Sequence, residues 1–120
     1  MKDYDRNNVF ARILRGEIPC EKVFEDAHVL AFHDIHPQAP VHIVVIPKGE
    51  YVNWSDFSLR ASEGEMAAFM RAVAKIADDF GLAEKGYRVL SNCGGHGGQE
   101  VPHFHCHLFG GRHLGPMLAH

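Results

Sequence analysis

Short apolar runs, separated by polar or proline-containing stretches, fill the first half of the chain. KVFED (22–26) and HVLAFHD (28–34) predict the two strands of a hairpin. IHPQAP (35–40) carries two prolines and predicts a loop. VHIVVIP (41–47), apolar and β-branched, predicts a third strand closed by Pro47. Ahead of these, Val9, Phe10, Ile13 and Leu14 share one side of a short helix over 8–14, with Asn7 or Asn8 as its cap and Gly16 as its end. Residues 48–61 read as polar loop.

At Ser62 the period changes. Glu65 stands three residues on, the spacing of a capping box. Met66, Phe69, Met70, Val73, Ala77 and Phe80 then recur at helical spacing, predicting one long helix with a single apolar stripe and Gly81 at its C-terminal end. YRVLSNC (87–93) predicts a fourth strand, GGHGGQ (94–99) a glycine-rich loop, and HFHCHLF (103–109) a fifth strand stopped by Gly110 and Gly111. No repeat or linker interrupts the pattern. The expectation is one domain over 1–120, of the α+β class: a mainly antiparallel five-stranded sheet with one long helix and one short N-terminal helix.

Composition narrows the class. A chain of 120 residues with 46% hydrophobic and 22% charged positions has the material for a core. A net charge of −3 and a pI near 6.3 argue against a basic nucleic-acid-binding surface. The longest apolar run falls well short of the roughly 20 residues of a membrane helix. Cys20, Cys93 and Cys106 form no disulfide framework, and MKDYDRNN has no apolar segment behind it, so the expected compartment is the cytoplasm.

Histidine is the residue in excess, with ten copies. On a strand, His103, His105 and His107 share one face, while Phe104, Cys106 and Leu108 share the other and can pack on the helix stripe. The imidazole row admits three readings. It is a solvated sheet face, or a metal site completed by His42 or Cys106, or a phosphate-chemistry site. In the last, a neutral imidazole attacks and others donate hydrogen bonds to phosphate oxygens.

HFHCHLF fits the pattern H-φ-H-φ-H-φ-φ, with φ apolar, and here the sequence resembles the histidine triad (HIT) family. The likeness extends to ARILRGEIPCEKVFED, to FHDIHPQAPVHIVVIPK, and to NCGGHGGQEVPHFHCHLFGGR. The ending RHLGPMLAH is similar to bacterial members of the Hint branch, the histidine triad nucleotide-binding proteins. Pro102 stands where those members commonly carry tyrosine, His36 where serine is usual, and Glu100 matches the bacterial pattern.

The resemblance implies a homodimeric hydrolase of purine nucleoside 5′-phosphoramidates, AMP or GMP joined to an amine, using no metal or other cofactor; the alternatives are a metal-dependent hydrolase or metal-binding protein built on the histidine row, and a nucleotide-binding regulatory module whose hydrolysis is incidental. His105 would attack the α-phosphorus. His107 and His42 would contact phosphate oxygens, and His103 would help orient the nucleophile. Asp34 would accept hydrogen bonds from the ribose hydroxyls. Phe32 and Ile35, joined by Ile13, would form a slot for the base. Asn92, Gly98, Gln99, Glu100 and Val101 would lie along the phosphate and ribose, with contact through the Gln99 and Val101 backbone. Outside this set, His28, His113 and His120 are read as surface residues and His33 as structural.

Overall fold

The computed structural model describes residues 3–118. The element order is α1 (Val9–Leu14), β1 (Lys22–Glu25), β2 (Val29–His33), β3 (Val41–Pro47), α2 (Trp54–Arg60), α3 (Glu63–Asp79), β4 (Arg88–Leu90), α4 (Gly94–Gly97) and β5 (Cys106–Gly110). The five strands form one sheet in the order β1-β2-β3-β5-β4, antiparallel throughout. The fold is α+β, and β3 and β5 lie side by side in its middle.

Local chemistry explains the helices. Asn8 rather than Asn7 caps α1, its side chain accepting from the Ala11 amide. Ser62 and Glu65 form the capping box of α3 with both reciprocal bonds present. The apolar stripe of α3 is Phe69, Ala72, Val73, Ile76 and Ala77, all buried, whereas Met70 is exposed and Phe80 lies at the helix end, partly in solvent.

Two expectations about the elements need correction. Residues 48–61 are not simply loop, because Asn53 caps α2 by accepting from the Asp56 amide, and Phe57 anchors that helix in the core. Its apolar residues are Trp54, Phe57 and Leu59, of which Leu59 points to solvent, so the remaining pair is too short a stripe to register as periodicity. The fifth strand begins at Cys106 rather than residue 103. Pro102 has no amide hydrogen, and the backbone over 101–105 carries irregular bonds instead: His103 N–H donates to the Val101 carbonyl and Phe104 N–H to that of Tyr51. The fourth strand is likewise shorter than its apolar run, and residues 94–97 form a single helical turn ended by Gly98, whose φ of 76° is left-handed.

The sheet separates two cores. One face carries Val29, Ala31, Ile43, Val45, Phe104, Cys106 and Leu108 against α2 and α3. Phe104 lies in an aromatic cluster with Phe57 (ring centroids 4.7 Å) and Phe69 (5.0 Å). The other face carries Leu30, Phe32, Val44 and Ile46 under Phe10 of α1. Because α1 has only two turns, it covers this second face incompletely, and the histidines occupy the remainder.

Candidate active site

The alternation of a strand decides which side chains meet. His42, Val44 and Ile46 are on the α1 face of β3, and β3 pairs with β5 so that Val44 lies opposite His107. His42 Nε2 and His107 Nδ1 are 2.9 Å apart. His105 and His107 have ring centroids 5.1 Å apart, and the edge of Phe10 meets His105 at 4.9 Å. Phe109 flanks both His42 and His107. Sequence spacing had marked the histidines. Phe10 and Phe109, which wall them in, carried no signal beyond being apolar.

Hydrogen-bond partners fix the protons on the rings. A carbonyl oxygen can only accept, so His105 donates Nδ1–H to the His103 carbonyl (2.7 Å). Neutral His105 therefore has its lone pair on Nε2. Among the described residues Nε2 has no protein partner, and it is not sealed from solvent. The Gln38 amide donates to His42 Nδ1 (3.1 Å), which places the proton of neutral His42 on Nε2, where it is donated to His107 Nδ1. His107 in turn carries its hydrogen on Nε2. The relay Gln38 → His42 → His107 thus yields a donor beside a nucleophilic lone pair.

His103 is different. It is fully buried and both ring nitrogens are used: Nε2–H donates to the Pro47 carbonyl (2.9 Å), and Nδ1 accepts from the Tyr4 hydroxyl (2.5 Å). The row therefore does not act as three equivalent imidazoles. Burial pushes the pKa values of His103 and His107 down to about 4, and those of His105 and His42 downward as well. Burial thus favours the neutral form of all four rings. The Asp34 carboxylate opposes burial at His42, His105 and His107, and Glu100 adds to it at His105.

Asp34 follows β2, with Oδ1 accepting from the His36 amide and Oδ2 lying 3.4 Å from His42 Nε2. Next to it Phe32, Ile35 and Ile13 do converge, lining an apolar cavity of about 190 Å³ with Val9, Phe10, Ile18 and Val44. Ile35 stands at its mouth, 84% exposed. The glycine loop differs from expectation. The Gln99 amide donates to the Gly94 carbonyl, and its side chain ties Gly94, Val52 and Val101 together, so in this structure Gln99 shapes the loop and offers no free backbone donor. Asn92 and Val101 are half-buried beside the loop, while Gly98 and Glu100 are at its surface. Of the remaining histidines, His28, His36, His96 and His113 are exposed, His33 packs edge-on against Phe80, and His120 lies outside the described residues.

A metal site made of the HxHxH row is not what the fold assembles. His103 has both nitrogens committed, and Cys106 points into the opposite core. Among the described residues, the ligand-type atoms that do cluster, within 4.8 Å of one another, belong to Asp34, His42 and His107.

The HIT domain pattern matches residues 15–114. The chain belongs to the HIT domain family. A 13.2 kDa HIT-like protein of Azospirillum brasilense is 66% identical over 118 residues, spanning 98% of this chain and 97% of its own. The purine nucleoside phosphoramidase of Escherichia coli K12 is 49% identical over 112 residues, 93% of each chain. The solved histidine triad protein of Clostridium difficile has 40% identity and a TM-score of 0.84, covering 98% of this chain and 100% of that one.

Proposed function

We propose that this HIT protein hydrolyses the P–N bond of purine nucleoside 5′-phosphoramidates through a nucleotidyl-His105 intermediate. The observation that carries the reading is the fixed pair of tautomers, a lone pair on His105 Nε2 beside a donor on His107 Nε2. In the first step His105 Nε2 bonds to the α-phosphorus as the P–N bond breaks. Its electrons go to nitrogen, which takes a proton from solvent water and leaves as an amine. In the second, water adds to phosphorus and the P–Nε2 bond breaks with its electrons returning to Nε2, giving AMP or GMP and free His105, while the proton from water passes back to solvent. The His103 carbonyl stabilises the charge that appears on the His105 ring, and His107 Nε2–H meets a phosphate oxygen. The cavity of Phe32, Ile35 and Ile13 takes the base, and Asp34 the ribose. The 49%-identical relative that is named a purine nucleoside phosphoramidase supports the substrate class.

The decisive test is intact-mass spectrometry after mixing with adenosine 5′-phosphoramidate. A nucleotidyl adduct on the wild type, absent from His105→Ala, is the expected result, and a wild type with neither adduct nor AMP release refutes the reading. No cofactor is assigned to this step. Activity lost in EDTA and restored by zinc would instead give the Asp34, His42 and His107 cluster to a metal. The homodimer is part of the proposal, supported by the open edge strand β4, where Val89 and the preceding Tyr87 are exposed, and sedimentation tests it. The cytoplasmic location likewise remains part of the proposal; no helix among the described residues is long and apolar enough to cross a membrane, and Cys20, Cys93 and Cys106 are free.

A further inference from the structure

The family match begins at residue 15, yet the histidine cluster has a partner ahead of it. Tyr4 is half-buried, its ring edge-on to His103 with centroids 5.6 Å apart and its hydroxyl on His103 Nδ1. The segment that carries it is tied down. The Arg6 guanidinium pairs with Glu50 (3.1 Å), Arg15 donates to the Arg6 carbonyl (2.7 Å), and the Asn8 side chain donates to that of Asp5 (2.8 Å).

We propose that Tyr4 is a positioning residue for the His105 nucleophile, acting through His103. This rests on the phosphoramidase reading of the site. The chain of contacts is short. The Tyr4 O–H satisfies His103 Nδ1, which leaves the only ring proton on Nε2 for the Pro47 carbonyl, so His103 is pinned from both sides. The backbone carbonyl of that same residue accepts Nδ1–H of His105 and thereby keeps the His105 lone pair on Nε2. Without the hydroxyl, His103 Nδ1 is a buried acceptor with no donor. Relief requires the ring to turn or to move its proton, and either shifts the main chain that holds His105. The groups that face His103 are Tyr4, the Phe10 ring, His105 and the more distant Glu50 carboxylate; the Asn8 side chain lies beside the Tyr4 hydroxyl, but its N–H already donates to the Asp5 carbonyl.

The test is Tyr4→Phe, which keeps the ring and removes only the oxygen. The ring nitrogens of ¹⁵N-histidine-labelled protein are read by NMR alongside steady-state kinetics with adenosine 5′-phosphoramidate. The expected result is a His105 spectrum that changes from one tautomer to a mixture, with kcat about tenfold lower and KM unchanged. A His105 spectrum identical to wild type overturns the proposal, whatever happens to kcat. So does a Tyr4→Phe chain that fails to fold, because the hydroxyl would then be a purely structural group. If the wild type itself releases no AMP, the phosphoramidase reading fails, and the spectra still decide whether Tyr4 sets the tautomer of His105.

Discussion

The two faces of the central strands are made by the same few residues and have opposite chemistry. Toward α3, Ile43, Val45, Cys106 and Leu108 meet Phe69, Ile76 and Ala77 in a mostly apolar core, whose Tyr51 hydroxyl is turned to the Glu65 carboxylate. Toward α1, His42 and His107 alternate with them on the same backbone, and their partners are Gln38, Asp34 and Phe109. Hydrophobic packing is roughly proportional to area and tolerates any close-fitting partner. The imidazole face tolerates very little, because each ring must find a donor or acceptor for a particular nitrogen. The dry face therefore holds the strands at a fixed height, and the polar face uses that fixed height to set proton positions.

If the two faces divide the labour in this way, substitutions on them separate rate from stability. The largest effect is expected from His105→Ala, a loss on the order of 10⁴-fold in AMP release with little change in the melting temperature. Retained turnover would remove the nucleophile from the scheme. On the other face, Ile76→Ala, at a position 2% exposed, should cost about 3 kcal/mol in urea unfolding. The folded variant should keep its kcat, and a parallel fall in kcat would show that the faces are not separable.

His42→Ala tests the relay. His107 Nδ1 loses its donor, and turnover should fall roughly 10- to 100-fold, with a smaller stability change than that of Ile76→Ala. A variant with normal turnover would mean that the proton on His107 is set by something else.

The smallest effect is on pH dependence. His103 has a folded pKa of about 4, below the ordinary value of 6.5, so the unfolded chain takes up the proton first as pH falls. Its contribution is fully present above about pH 6.5 and is lost as pH drops toward 4. Burial acts in the same direction at His105, His107 and His42. For His103 the loss between pH 6.5 and 5 is on the order of 2 kcal/mol, which urea midpoints measured along that range should show. A flat profile would mean that His103 is not held neutral by burial.

Much of the fold was legible in the chain for identifiable reasons. The capping box at Ser62 and Glu65 and the apolar runs at 29–33 and 41–46 announce themselves locally. Helix α2 was not legible, because it is held by Asn53 and by one aromatic residue whose partners, Phe69 and Phe104, are distant in sequence. The site residues divide in the same way. Phe32, Ile35 and Asp34 lie close together in the chain, and the structure does bring them to one cavity. Gln99 looked like a phosphate contact, but its role as a brace depends on Val52, which no local pattern connects to it. Tyr4 was invisible, since nothing in MKDYDRNN points to residue 103.

By itself the sequence determined the alternation. A strand repeats every two residues, so HFHCHLF had to send its histidines one way and Phe104, Cys106 and Leu108 the other, and the structure keeps that division even where 103–105 leave the ladder. Only the tertiary structure decided what each imidazole is. Three chemically identical rings became a buried and doubly bonded brace, a ring with a free lone pair, and a ring with an outward donor. The difference lies in the Tyr4 hydroxyl, the His103 and Pro47 carbonyls and the Gln38 amide, which reach them from elsewhere in the chain. A neutral imidazole has one proton and two places for it, and only neighbours within hydrogen-bond distance choose between them.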